Sequence, residues 1–226
     1  MEPHALHAWA VTPAEAVAIQ ERLRDRVRFR DGRRRFRTVG GLDVSYDRRS
    51  PWLFAAVVVL RLPDLCVVDT AAVRMRAEFP YVPGLLSFRE SPAGLEAWSR
   101  LSVRPDCLLC DGQGYAHPRR FGLACHFGLW VDRPTIGVAK SLLLGEYGVL
   151  ASSRGSQAPL IHAGETVGVA VRTRAGVKPV FVSVGHRITL ETGVAAVLAC
   201  TTRYRIPEPI RQAHLLVNRL RAGADC

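Results

Sequence analysis

Three consecutive pieces decide the fold: Cys107-Leu-Leu-Cys-Asp111, Phe121-Gly-Leu-Ala-Cys-His-Phe-Gly-Leu-Trp-Val131 and Pro134-Thr-Ile-Gly-Val-Ala139. The first and third are short apolar runs, the pattern of strands buried on both faces. The middle piece is helical in pattern. Strand, helix and strand in that order form a crossover, which makes the two strands parallel neighbours in one sheet.

Working outward, three strand-like segments precede the crossover, at Arg37–Tyr46, Trp52–Arg61 and Cys66–Glu78. The turn sequences Asp-Arg-Arg-Ser-Pro and Leu-Pro-Asp-Leu separate them, and such short links imply antiparallel pairing. A helix is expected from Thr12 to about Val27, because Thr12-Pro13-Ala14-Glu15 offers an N-cap, a proline at the first turn and a capping-box acid. A second is expected over Pro92–Leu101, opened by Ser91-Pro92. After the crossover come strands at Thr166–Thr173 and Val180–Val184, a helix at Thr189–Cys200, and a last helix from Pro207 to Ala222-Gly223. Ser152–Pro159 is the most linker-like stretch, too short to divide the chain. The expectation is one α/β domain over residues 1–226, a mixed sheet of three antiparallel strands then parallel strands, with helices on both faces.

The 226 residues carry a formal charge of +11, and only Lys140 and Lys178 are lysines. That surplus favours a polyanionic partner, since bound cations release counterions from phosphates. Lys178 and the Arg33–Arg35 run read as phosphate contacts or solvated charges. No apolar run approaches the roughly 20 residues of a membrane span. The first ten residues lack a signal-peptide pattern, so a cytoplasmic protein is expected. Cys107 and Cys110 have CxxC spacing, but three positions apart on a strand they point to opposite faces. They read as buried small hydrophobes rather than zinc ligands.

The chemistry centres on acids in or at the ends of strands. Asp43 interrupts the largely apolar run Val39–Tyr46, Asp111 closes its strand before Gly-Gln-Gly, and Glu90 precedes Ser91-Pro92. Carboxyl ends of strands are where open α/β sheets place their sites. Converging acids need a cation between them, and hard oxygens suit Mg²⁺, with Mn²⁺ as a substitute. Each acid could equally be a cap or an arginine partner. Lys140 also follows a strand, where its ammonium could meet a phosphate. His214 shares a helical stripe with Ile210 and Val217, and beside a carboxylate centre it could move protons. Tyr81, between Pro80 and Pro83 on a stiff loop, could wedge between bases or pack its own loop.

Several of these stretches together resemble endonuclease V. They are Gly41-Leu-Asp-Val-Ser-Tyr46, Phe79-Pro-Tyr-Val-Pro-Gly-Leu-Leu-Ser-Phe-Arg-Glu90, Asp111-Gly-Gln-Gly-Tyr-Ala-His-Pro-Arg-Arg-Phe-Gly122, Thr135-Ile-Gly-Val-Ala-Lys140, Val184-Gly-His-Arg-Ile-Thr-Leu-Glu-Thr192 and Tyr204-Arg-Ile-Pro-Glu-Pro-Ile-Arg211. The resemblance implies an RNase H-like fold and hydrolysis of the second phosphodiester bond 3′ to a deaminated base, chiefly hypoxanthine in DNA, as a step of repair. It implies metal binding by Asp43, Asp111 and Glu90, with Lys140 and His214 assisting. Pro80, Tyr81, Val82 and Pro83 match the strand-separating wedge, with Val82 where isoleucine is usual. A base pocket would be spread over Gly84, Leu86, Gly112, His117, Gly137 and Ala139. Gly193 stands where alanine is expected. No obligate protein partner is implied, and a monomer is expected. The alternatives are an endoribonuclease for inosine in RNA and a nucleic-acid-binding module without catalysis.

Overall fold

The computed structural model describes residues 6–31, 35–46 and 50–223; residues 33 and 34 of the arginine run and 47–49 of the first turn lie outside them. The elements are α1 (Pro13–Arg24), β1 (Thr38–Tyr46), β2 (Trp52–Arg61), β3 (Val67–Arg76), α2 (Leu86–Ser99), β4 (Cys107–Cys110), α3 (Leu123–Val131), β5 (Thr135–Ala139), β6 (Gln157–His162), β7 (Glu165–Val171), β8 (Val180–His186), α4 (Leu190–Ala199) and α5 (Glu208–Arg221). The strands form one sheet in the order β3-β2-β1-β4-β5-β8-β7-β6.

The expected meander is present, with β1, β2 and β3 antiparallel. So is the crossover: β4 lies parallel between β1 and β5. Parallel pairing is confined to these two contacts, and beyond β5 the sheet turns antiparallel through β8, β7 and β6. Helices cover both faces. Leu42 faces a core cluster with Trp98 of α2 and Phe127 of α3, whereas Val39, on the opposite pleat, packs with Val197 of α4 and Ile210 of α5. Cys107 and Cys110 fall in these two different clusters, as their spacing requires.

Three boundaries differ from expectation. Helix α1 carries the complete Thr12–Glu15 capping box but stops at Arg24, three residues early. Helix α2 begins at Leu86, so Pro92 sits inside it and Glu90 is helical. A proline at mid-helix costs about 3 kcal/mol, and burial of Phe88, Leu95 and Trp98 offsets it. The linker-like stretch contains the start of β6, whose Ala158 and Leu160 are buried, Leu160 in a core cluster with Phe181. Pro159 is tolerated there because β6 is an edge strand. Among the described residues, no helix is long and apolar enough to cross a membrane.

Candidate active site

The carboxyl ends of β1, β4 and β5 bring the charged residues together. The last β1–β4 pairing is Leu42 with Cys110, and the Asp111 N–H donates to the Leu42 carbonyl at 2.9 Å. Asp43 and Asp111, each one residue further, therefore stand side by side. Lys140 follows the last residue of β5, and its Nζ is ion-paired with Asp111 Oδ2. Glycine at position 41 brings α5 down onto β1. A Cβ there would lie 2.1 Å from the Pro209 carbonyl carbon, so no other residue allows this approach. One helical turn beyond Ile210, His214 Nδ1 reaches Asp43 Oδ2 at 2.8 Å. Another turn on, Asn218 Nδ2 donates to His214 Nε2 at 3.0 Å. With Nε2 accepting, Nδ1 holds the proton and donates to Asp43.

Asp43, Asp111 and His214 each offer one ligand atom, and all three atoms lie within 4.8 Å of one another. This is the only such group among the described residues, and it contains His214 where Glu90 was expected. Glu90 is buried in α2, yet it senses both aspartates: burial first, then Asp43 and Asp111, raises its pKa. Burial, then the charge of Asp43, raises Asp111 to about 6 against the opposing pull of Lys140. Three acids facing one ammonium leave negative charge to be balanced. Their oxygens fit a hard divalent cation, with Asp43 and Asp111 as its ligands and His214 hydrogen-bonded alongside.

Beside this centre is a cavity of about 250 Å³, reached by Gly112 from the β4 end and by the Tyr81–Leu86 segment. Tyr81 is 57% exposed at its mouth, with Pro80 and Pro83 also exposed and Val82 half-buried. His117 is a buried wall residue. Its Nε2 donates to the Gly84 carbonyl at 3.1 Å, and its Nδ1 accepts from the Arg119 N–H at 3.2 Å. Burial, then the charge of Arg119, lowers its pKa to about 4, so it is neutral at physiological pH.

Gly84, Leu86, Gly112 and His117 all line the cavity, but Gly137 and Ala139 do not. Gly137 lies under the loop: a Cβ there would be 2.2 Å from the Gly114 backbone nitrogen. Ala139 is buried in the core with Ala116 and Phe181. Gly137 thus supports the cavity from beneath, through the 112–114 backbone, whereas Ala139 serves the core.

Wall residues that sequence reasoning missed include Gln20, Gln113, Leu142 and Leu143. Gln20 is buried on α1, donates to the Gly84 and Phe121 carbonyls at 3.1 Å each, and accepts from Arg119. A polar residue inside the apolar stripe Ala16, Ile19, Leu23 was the available signal. Leu142 and Leu143, 43% and 52% exposed, form an apolar lip directly after Lys140, where a leucine run in a loop was the clue.

A family model described as Endonuclease V matches residues 21–215. An endonuclease V of Roseiflexus castenholzii is 52% identical over 219 residues, covering 97% of this chain and 98% of that protein. The crystal structure of Streptomyces avermitilis endonuclease V superposes with a TM-score of 0.91 at 46% identity, covering 96% of each chain. The Ciona intestinalis enzyme, solved with a 24mer DNA containing an inosine followed by a ribo-adenosine, gives 0.80 at 31% identity, over 93% of this chain and 98% of that one.

Proposed function

The chain belongs to the endonuclease V family, and from that premise we propose that this nuclease recognises hypoxanthine in DNA and, with Mg²⁺, hydrolyses the second phosphodiester bond 3′ to it. Cutting would leave 3′-hydroxyl and 5′-phosphate ends and open repair of the deaminated base. The observation that carries this reading is adjacency. Asp111 belongs to the carboxylate centre, and the next residue, Gly112, lines the cavity, so a base held there keeps its own strand over the acids.

Tyr81 supports extraction of the base, because an exposed aromatic between two prolines can fill the gap left in the stack. Unstacking costs a few kcal/mol, least for a mispaired base. Neutral His117 and the Gly84 backbone give the cavity a polar but uncharged wall. A close wall excludes the 2-amino group of guanine, by sterics and by leaving a buried donor unpaired. Lys140 offers positive charge to the phosphate. His214, tied to Asp43 and Asn218, is placed to hold or pass a proton at Nδ1. A divalent cation bound by Asp43 and Asp111 supplies Lewis-acid polarisation of the phosphate and a more acidic water. Glu90 completes the acidic shell.

The same reading has the protein acting as a cytoplasmic monomer. An inosine-specific endoribonuclease is the second reading, favoured by the ribo-adenosine in the ligand of the Ciona relative. Cleavage of matched deoxyinosine and ribo-inosine oligonucleotides, with Mg²⁺ and with EDTA, tests both. Faster cutting of deoxyinosine DNA is expected; faster cutting of the RNA would shift the assignment to RNA processing.

A further inference from the structure

We propose that a basic strip made by Trp52, Arg74, Arg76 and Arg221 binds the arm of the cut strand that lies 3′ of the scissile phosphate. This rests on the functional reading above.

The strip's position follows from sheet register. Asp43 pairs with Ala56, which pairs with Ala72; two residues outward, Phe54 pairs with Arg74, and two further, Trp52 pairs with Arg76. Residues paired in this way share a face, so Arg74 and Arg76 stand on the face of Asp43, beyond the carboxylate end of β1. Helix α5 covers that face, and Arg221, two turns beyond His214, extends it in the same direction. From strand spacing and rise, Arg74 is about 12 Å from Asp43 along the sheet. At ~3.4 Å per nucleotide that is the reach of about three nucleotides.

The cavity lies toward the other side. It is bounded by the segments after β4 and β5 and by Ser87 and Leu123, on the face covered by α2 and α3. The carboxylate centre thus sits between the cavity and the strip. A strand whose base occupies the cavity and whose bond 3′ to that base reaches the acids continues, in the 3′ direction, onto the strip.

The side chains suit phosphate. Several other arginines are spent on nearby acids, as in Arg61–Asp64, Arg100–Glu96, Arg120–Glu165, Arg187–Asp132 and Arg211–Glu208. Among the described residues, Arg74, Arg76 and Arg221 have no ion-pair partner, and all three are exposed. The Arg74 guanidinium lies 4.1 Å over the Trp52 ring, a contact that steadies it without consuming its charge. Trp52 is in turn seated against the cluster of Phe54, Leu216, Leu220 and Val217.

The test is R74A/R76A against the unmodified protein, using deoxyinosine DNA trimmed to two nucleotides on either the 3′ or the 5′ arm. Binding is read by fluorescence anisotropy in EDTA, and single-turnover cleavage with Mg²⁺. Trimming the 3′ arm should weaken binding by the unmodified protein, and the double variant should lose most of that dependence while still responding to 5′ trimming. Its log–log salt slope should fall by about 2, one contact per arginine. R74K/R76K should keep the slope. A loss that follows the 5′ arm, or one indifferent to arm length, overturns the strip. Arm-dependent binding without cleavage by the unmodified protein would instead overturn the functional reading and leave the strip standing.

Discussion

Asp43, Asp111 and His214 are held by regular structure: a parallel strand register fixes the two aspartates, and a helix lowered onto Gly41 delivers the imidazole. The cavity beside them is bounded by loops, and its floor is glycine backbone, with Gly137 beneath Gly114 and Gly114 against the Val184 carbonyl. One region concentrates like charge. The other keeps its buried wall histidine, His117, uncharged. The contrast teaches how one rim can serve two tasks. Fixed acids can hold a cation in register with a phosphate, while main-chain walls set a shape that side-chain charge would spoil.

The two regions should titrate with opposite signs. Asp111 has a folded pKa raised from 3.8 to about 6, so its contribution to stability is present below the unfolded value and is lost as pH rises through 6. His117 is depressed from 6.5 to about 4; its contribution is present above 6.5 and is lost as pH falls toward 4. Each shift of about two units corresponds to about 3 kcal/mol.

The largest expected effect is on chemistry. Asp111→Asn should abolish cleavage yet leave a folded protein. In metal-free buffer its thermal midpoint should rise between pH 4 and 6, whereas in the unmodified protein the two opposed contributions largely cancel over that range. His117→Gln should instead show a midpoint that falls from pH 4 to 6, since only the Asp111 contribution is left. If both variants changed the slope of that limb in the same direction, the electrostatic contrast would be broken.

Next comes backbone packing. Gly137→Ala places a Cβ 2.2 Å from a backbone nitrogen, and a cost of about 3 kcal/mol is expected in chemical denaturation, with weaker affinity for the lesion. An unchanged midpoint would mean that the 112–114 loop is free to move, and that the cavity floor is not rigid.

A smaller effect should come from Asn218→Ala, which frees His214 Nε2. Cleavage should fall about tenfold, as for loss of an outer hydrogen-bond partner. The pH–rate profile should change with it, while the thermal midpoint stays put; a purely structural role would show the reverse. The smallest is Gly193→Ala. A Cβ there meets Ile136 at 3.5 Å, an ordinary contact, so stability should rise by about 1 kcal/mol without any change in activity. It is the control that separates required glycines from tolerated ones.

The charged region was legible because its physics is local. An acid in or closing an apolar run, a lysine after a strand and a histidine one turn beyond Ile210 each break a pattern. The crossover between β4 and β5 told which strand ends would meet. What escaped was set by tertiary packing. Helix α2 runs through Pro92 because its buried face outweighs the proline, and β6 emerges from a polar stretch by pairing with β7. His214 rather than Glu90 joins the converging trio because Gly41 admits α5, and nothing in the spacing of residues 41 and 214 tells of that contact. At the cavity, Gly137 supports the 112–114 backbone from below, Ala139 belongs to the core, and Gln20, 64 residues before Gly84, closes the wall.

The most direct test of the central claim is cleavage of a labelled duplex bearing one deoxyinosine, by the unmodified protein and by Asp111→Asn, with Mg²⁺ and with EDTA. A single nick at the second phosphodiester 3′ to the lesion, present only with Mg²⁺ and the intact aspartate, is the expected result. Equal cleavage in EDTA, or retained turnover in Asp111→Asn, would contradict it.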